Sequence, residues 1–136
     1  PGRRRVLEHM TLASGATPKG THGRELWLST AIPYAVGPDC EYFLSLSDVQ
    51  VVFDDERRML VTIRAKALTL DVLALRAPLQ TTPHEQLSKW WQDTTSMLGA
   101  RRQPARLLVF VDANAYVGPS QSRAIGPFQA DNENFH

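Results

Sequence analysis

With one cysteine, Cys40, in 136 residues, the chain forms no internal disulfide, which excludes a disulfide-built secreted scaffold. Long hydrophobic runs are missing too. An apolar run such as Leu107 to Val111 falls far short of the roughly 20 residues a bilayer-crossing helix needs, so no membrane partner is expected. Neither sign of charge dominates: fifteen Lys and Arg against fourteen Asp and Glu leave a formal charge of +1. No global field therefore advertises nucleic acid or a lipid surface, and any such partner has to be argued locally. The sequence contains no repeat with a period of roughly 20–50 residues, which removes solenoids and propellers. Most chemical signatures are absent as well. His9, His22, His84 and His136 have neither the i, i+4 pairing nor the cysteine company of a zinc site. Gly15 to Thr21 has no lysine after its second glycine and no buried strand before it, so it reads as a turn rather than a phosphate loop. There is no Gly-x-Ser-x-Gly elbow, and Cys40 has no histidine nearby in sequence.

What is present is a globular mixture, 43% hydrophobic, 8% aromatic and 21% charged. A chain of this length buries roughly 68–70% of its unfolded surface, enough for a core without staples. One domain over residues 1–136 is the natural reading. The chain opens on Pro1-Gly2-Arg3-Arg4-Arg5 without an initiator methionine or an apolar signal region, and reads as a piece of something longer.

Strands are expected at Glu25 to Thr30, Val49 to Phe53, Met59 to Ala65 and Leu68 to Leu75, on β-branched enrichment and partial alternation. Asp54 to Arg58 has hairpin length, so the last three strands predict an antiparallel meander. Ile32 to Pro38 is expected as loop, because its two prolines remove ladder donors. The strongest local signal is a helix. Thr82-Pro83-His84-Glu85 offers an N-cap threonine, proline at the first helical position and a glutamate that reaches back to the cap. Leu87, Trp90, Trp91, Thr94, Met97 and Leu98 then recur at three-and-four spacing, and Gly99 ends the helix. Trp90 and Trp91 could stack on bases, but their helical spacing favours core packing for at least one of them. Arg101 to Ala105 reads as a solvated link, and Leu107 to Val111 as a strand buried on both faces.

Asp112 follows that strand directly, with Asn114 two residues on. A carboxylate and a neutral amide at a sheet rim suit phosphoryl chemistry: the first can hold or orient a water, and the second can donate to a phosphate oxygen without adding repulsion. Asp and Asn after a strand are equally ordinary turn formers. Arg3 to Arg5 and Arg101-Arg102 could meet phosphates or be solvated ends and loops. Asp131-Asn132-Glu133-Asn134 could attract a hard cation or be a polar tail.

The stretch Leu107-Leu108-Val109-Phe110-Val111-Asp112-Ala113-Asn114-Ala115 resembles the Gly-Asp-x-Asn signature of the endonuclease/exonuclease/phosphatase superfamily, in the divergent form found near reverse transcriptases of non-LTR retrotransposons. His22 to Ser29, Ala77-Pro78 with the Trp90-Trp91 helix, and Val117 to Asn134 agree with it, so the resemblance covers nearly the whole chain. It implies an α/β fold, an incomplete four-layer sandwich of mixed sheets flanked by helices, that hydrolyses phosphodiesters with magnesium and acts on DNA. By that analogy Asp112 activates the attacking water and Asn114 orients the scissile phosphate. The family's metal-binding glutamate would precede Pro1, and its acid and paired histidine would follow His136. Where the family usually carries tyrosine or histidine, a small residue, proline, and asparagine or histidine, this chain has Arg76-Ala77-Pro78-Leu79. Arg76 can still clamp a phosphate bidentately, whereas Leu79 donates nothing. The competing readings are a non-catalytic copy of the same fold and an unrelated interaction domain in which Asp112 and Asn114 form a turn.

Overall fold

The computed structural model describes residues 9–13, 23–79, 81–101 and 105–114. Gly15 to Thr21, Val117 to Asn134, Arg3 to Arg5, Arg102, His22 and His136 lie outside these. Strands β1 (His9–Ala13) and β2 (Glu25–Ser29) pair antiparallel as a two-stranded ribbon. The short β3 (Ala35–Val36) and β4 (Glu41–Tyr42) make a second pair. This corrects the loop expected at Ile32 to Pro38: the four residues between the prolines keep their amides, and those of Tyr34 and Gly37 donate to the Tyr42 and Cys40 carbonyls, which is enough for a minimal ladder.

The main sheet holds β5 (Val49–Asp54), β6 (Arg58–Ala65), β7 (Leu68–Arg76) and β8 (Arg106–Asp112), in that order. As expected, β5, β6 and β7 form an antiparallel meander, with a register shift between Val51 and Phe53. Helix α1 (His84–Gly99) then crosses over, so β8 returns parallel to β7. A strand, a helix and a parallel strand make one βαβ unit, and apart from α1 and one short 3-10 turn the described elements are strands, in two antiparallel pairs and one mixed sheet.

Period-two alternation divides the core. Met59, Val61, Ile63 and Val72 point to one face, where Leu12, Leu26 and Leu28 of the ribbon pack on them. Leu60, Leu73 and Leu75 point to the other, against Phe53 and the helical residues Trp90, Met97 and Leu98. The described residues thus stack as ribbon, mixed sheet and helix.

Three local expectations are overturned. Thr82 does not cap α1: Pro83, with extended ψ of 137°, holds the cap position, and no side chain bonds the first turn. A proline fixed just outside the helix leaves threonine one residue too far back to reach the free amides. The link after α1 is not solvated at its ends, since the Arg101 side chain is 12% exposed on the buried Asp71 and Ala105 is buried. Finally, β8 is exposed along its whole length, not buried on both faces. Its composition is that of an interior strand, but the ribbon and α1 are centred on β6 and β7, and neither apolar cluster includes a β8 residue.

Candidate functional site

Because β7 and β8 run parallel, their carboxyl ends reach the same rim of the sheet, the usual place for ligand chemistry in open α/β sheets. Arg76 ends β7 directly opposite Asp112, which ends β8. Residues opposite each other share a face, and Arg76 Nε lies 3.4 Å from Asp112 Oδ2. Both side chains are about half exposed (43% and 58%), so this ion pair contributes on the order of 0–1 kcal/mol to stability and leaves both groups within reach of a ligand.

Asn114 completes the corner. It is in the left-handed region at φ 45°, which asparagine tolerates better than most residues. In that conformation its amide N–H donates to Asp112 Oδ1 at 3.2 Å and its Nδ2 donates to the Ala77 carbonyl at 2.6 Å. The Ala77 N–H in turn donates to the Asp112 carbonyl at 2.8 Å, so the segment after β7 and the segment after β8 are tied together. Asp112 and Asn114 therefore form a turn and also converge with Arg76. Leu79, 54% exposed, offers the rim no polar group.

A fourth residue, Arg57, belongs here from the hairpin turn before β6. The antiparallel β6 starts where β7 ends, and the Arg57 carbonyl accepts from the Arg76 amide at 2.9 Å. Arg57 Nη1 also reaches the Ala77 carbonyl at 3.4 Å, the acceptor used by Asn114. Arg57 is held in place by the turn before β6. Asp55 Oδ1 accepts from the amides of Arg57 and Arg58 at 2.7 Å, while Asp55 Oδ2 pairs with Arg58. Burial pushes the Asp55 carboxyl up, but the Arg58 side chain and the two amides outweigh it and hold the group below its ordinary value. The Arg58 guanidinium sits 5.3 Å from the Phe53 ring centre and 5.4 Å from that of Trp90, and donates to Thr94 Oγ1 at 3.1 Å. A depression of about 290 Å³ lined by Asp55, Glu56, Arg57, Arg58 and Trp90 adjoins the rim through Arg57.

No family model, curated protein or solved structure matches the chain. The site is thus read from its own geometry.

A cleft of about 520 Å³ lies elsewhere, between the helix-facing side of the sheet and the end of α1, with Phe53, Leu60, Arg64, Asp71, Met97 and Arg101 among its walls. Its one carboxylate is fully engaged: Asp71, 1% exposed, takes Arg64 at 2.7 Å and Arg101 at 3.2 Å. That arrangement joins α1 to the sheet and leaves the cleft without a free carboxylate, so we place the candidate site at the rim. Of the tryptophans, Trp90 packs on the core under Arg58, and Trp91, 39% exposed, meets it edge-on at 4.7 Å. Of the described histidines, His9 stacks on Trp27 at 4.6 Å, and His84 Nδ1 lies 3.5 Å from Ser88 Oγ. Among the described residues, no three His, Cys, Asp or Glu side chains gather to hold a metal. Of the rim residues Arg57, Arg76, Asp112 and Asn114, Asp112 alone brings a carboxylate, so these residues do not by themselves build a magnesium site.

Proposed function

We propose that the chain is the central part of a phosphodiesterase domain of the endonuclease/exonuclease/phosphatase type, acting on DNA as an endonuclease associated with a reverse transcriptase, on an α/β fold whose complete form is a four-layer sandwich. One observation carries the reading: Asp112 and Asn114, marked by their place after an apolar strand, meet Arg76, which the family resemblance alone points to, at the carboxyl ends of two adjacent parallel strands. In this reading Asp112 takes the proton of the attacking water. The Arg76 guanidinium offers a planar pair of donors to non-bridging phosphate oxygens, and the second Nδ2 proton of Asn114 points a neutral dipole at the same group. Arg57 extends the positive flank along the backbone of a bound strand. Magnesium is part of the family resemblance, but the described residues do not hold it, and no step here runs through it.

Hydrolysis is cooperative among its groups, so a partial set loses most of the rate rather than a share of it. Residues 1–136 alone are therefore expected to retain a short DNA duplex at low salt without nicking supercoiled plasmid. Arg57→Ala with Arg76→Ala is expected to weaken that retention severalfold. In a polypeptide carrying the complete domain, Asp112→Asn lowers nicking by orders of magnitude and leaves the circular dichroism spectrum unchanged. Nicking by residues 1–136 that survives Asp112→Asn, or DNA retention indifferent to both arginines, refutes the assignment. A second reading, a non-catalytic copy that only binds, is favoured by the exposed apolar Leu79 at the rim. DNA binding without nicking in the complete domain would select it.

A further inference from the structure

The β8 strand is an edge strand among the described residues, and its seven residues Arg106-Leu107-Leu108-Val109-Phe110-Val111-Asp112 are all exposed. Leu107 through Val111 are each 36–52% exposed, an unbroken apolar strip of five residues on a sheet edge. Such an edge presents unpaired backbone groups as a template for another strand. The strip is also symmetric. A positive residue opens it and a negative one closes it, each three positions from Val109.

We propose that β8 is a self-recognition edge that pairs antiparallel with β8 of a second copy of this chain, about a two-fold axis at Val109. This does not rest on the functional reading. The occupant follows from charge complementarity and from the parity of the backbone. In the register centred on Val109, Arg106 lies opposite Asp112 of the second copy and Asp112 opposite its Arg106, while Leu107 meets Val111 and Leu108 meets Phe110. A two-fold interface requires this reciprocity, because residue i touching j implies j touching i. The Asp112 carbonyl is turned toward β7, where it accepts from the Ala77 amide. Backbone groups alternate along a strand, so Arg106, Leu108, Phe110 and Asp112 turn theirs inward and Leu107, Val109 and Val111 turn theirs outward. The outward residues are the ones that the Val109-centred register sets opposite one another, as Leu107 with Val111 and Val109 with itself, and such pairs exchange both hydrogen bonds. A register shifted by one residue puts outward groups opposite inward ones and loses the Arg106–Asp112 match.

Sedimentation of the purified chain over about 1–200 µM tests this, with a discrete dimer expected at the upper end. Arg106→Asp and Asp112→Arg each set like charges opposite at both ends of the strip, and each is expected to weaken dimerisation roughly tenfold or more. Mixing the two variants restores a dimer, because the acidic strip of one then faces the basic strip of the other. Val109→Pro removes an outward amide and no bond to β7, so it is expected to leave a folded monomer. Three results overturn the proposal: a monomer across the range, which would mean that β8 is covered within its own chain; open-ended association; or a dimer indifferent to the charge reversals and to Val109→Pro.

Discussion

Asp71 offers the sharpest test of how this sheet is joined to its helix. The carboxylate sits in the middle of β7 on the side that faces α1, 1% exposed, between Arg64 and Arg101. Asp71→Asn keeps the shape and removes the charge, which leaves two guanidinium groups beside a neutral amide. Their consequences differ. Arg64 is 39% exposed and can swing into water, so its loss counts for about 1 kcal/mol or less. Arg101 is 12% exposed and held by its further bonds to the Leu98 and Ala105 carbonyls. It cannot leave without undoing the end of α1. Stranding a buried charge costs about 3–5 kcal/mol, and the residual amide contact returns part of that, so about 3 kcal/mol is expected for the substitution. With an unfolding entropy of roughly 2.1 cal/mol/K per residue, that corresponds to a fall of about 10 °C in Tm. Thermal unfolding followed by circular dichroism measures it, and Arg101→Met and the double variant complete a cycle in which the double loses about as much as either single. A change below about 2 °C for Asp71→Asn, or additive losses in the double variant, would show that the Asp71–Arg101 contact does not hold the helix to the sheet.

Two other predictions concern the core and the turn before β6. Leu73 is fully buried between β6 and α1, so Leu73→Ala is expected to cost about 2–5 kcal/mol, read as a lower denaturant midpoint with an unchanged slope; an unchanged midpoint would refute the packing described. Asp55, held below its ordinary value despite its burial, contributes stability that is complete above the unfolded value of 3.8 and is lost as pH falls through the lower folded value. Tm measured from pH 6 to pH 2 is therefore expected to fall more steeply on acidification in the native chain than in Asp55→Asn, and equal slopes would refute the role of the turn.

What the sequence determined by itself is the set of elements whose pattern is local. Val49 to Phe53, Met59 to Ala65 and Leu68 to Leu75 carry their β-branched alternation in the chain, and the recurrence of Leu87, Trp90, Thr94 and Met97 marks a helix whatever surrounds it. The parallel return of β8 beside β7 was decided by the tertiary structure, since a helix between two strands does not by itself fix which strands pair. The candidate rim was legible to the extent that Asp112 and Asn114 follow an apolar strand. Arg76 was named by the family resemblance, and the tertiary structure alone added Arg57. Arg57 and Arg76 are nineteen residues apart in the chain and become neighbours through the β6–β7 register. The role of Asp71 within β7 exists only in the folded chain, where Arg64 and Arg101 come to it from a neighbouring strand and the end of a helix. The β1 strand gave no sequence signal, since its ladder exists only against β2. The exposure of β8 was decided in the same way. Composition records how apolar a strand is, but whether a layer lies over it depends on where distant segments pack, and pairwise packing is not written in local periodicity.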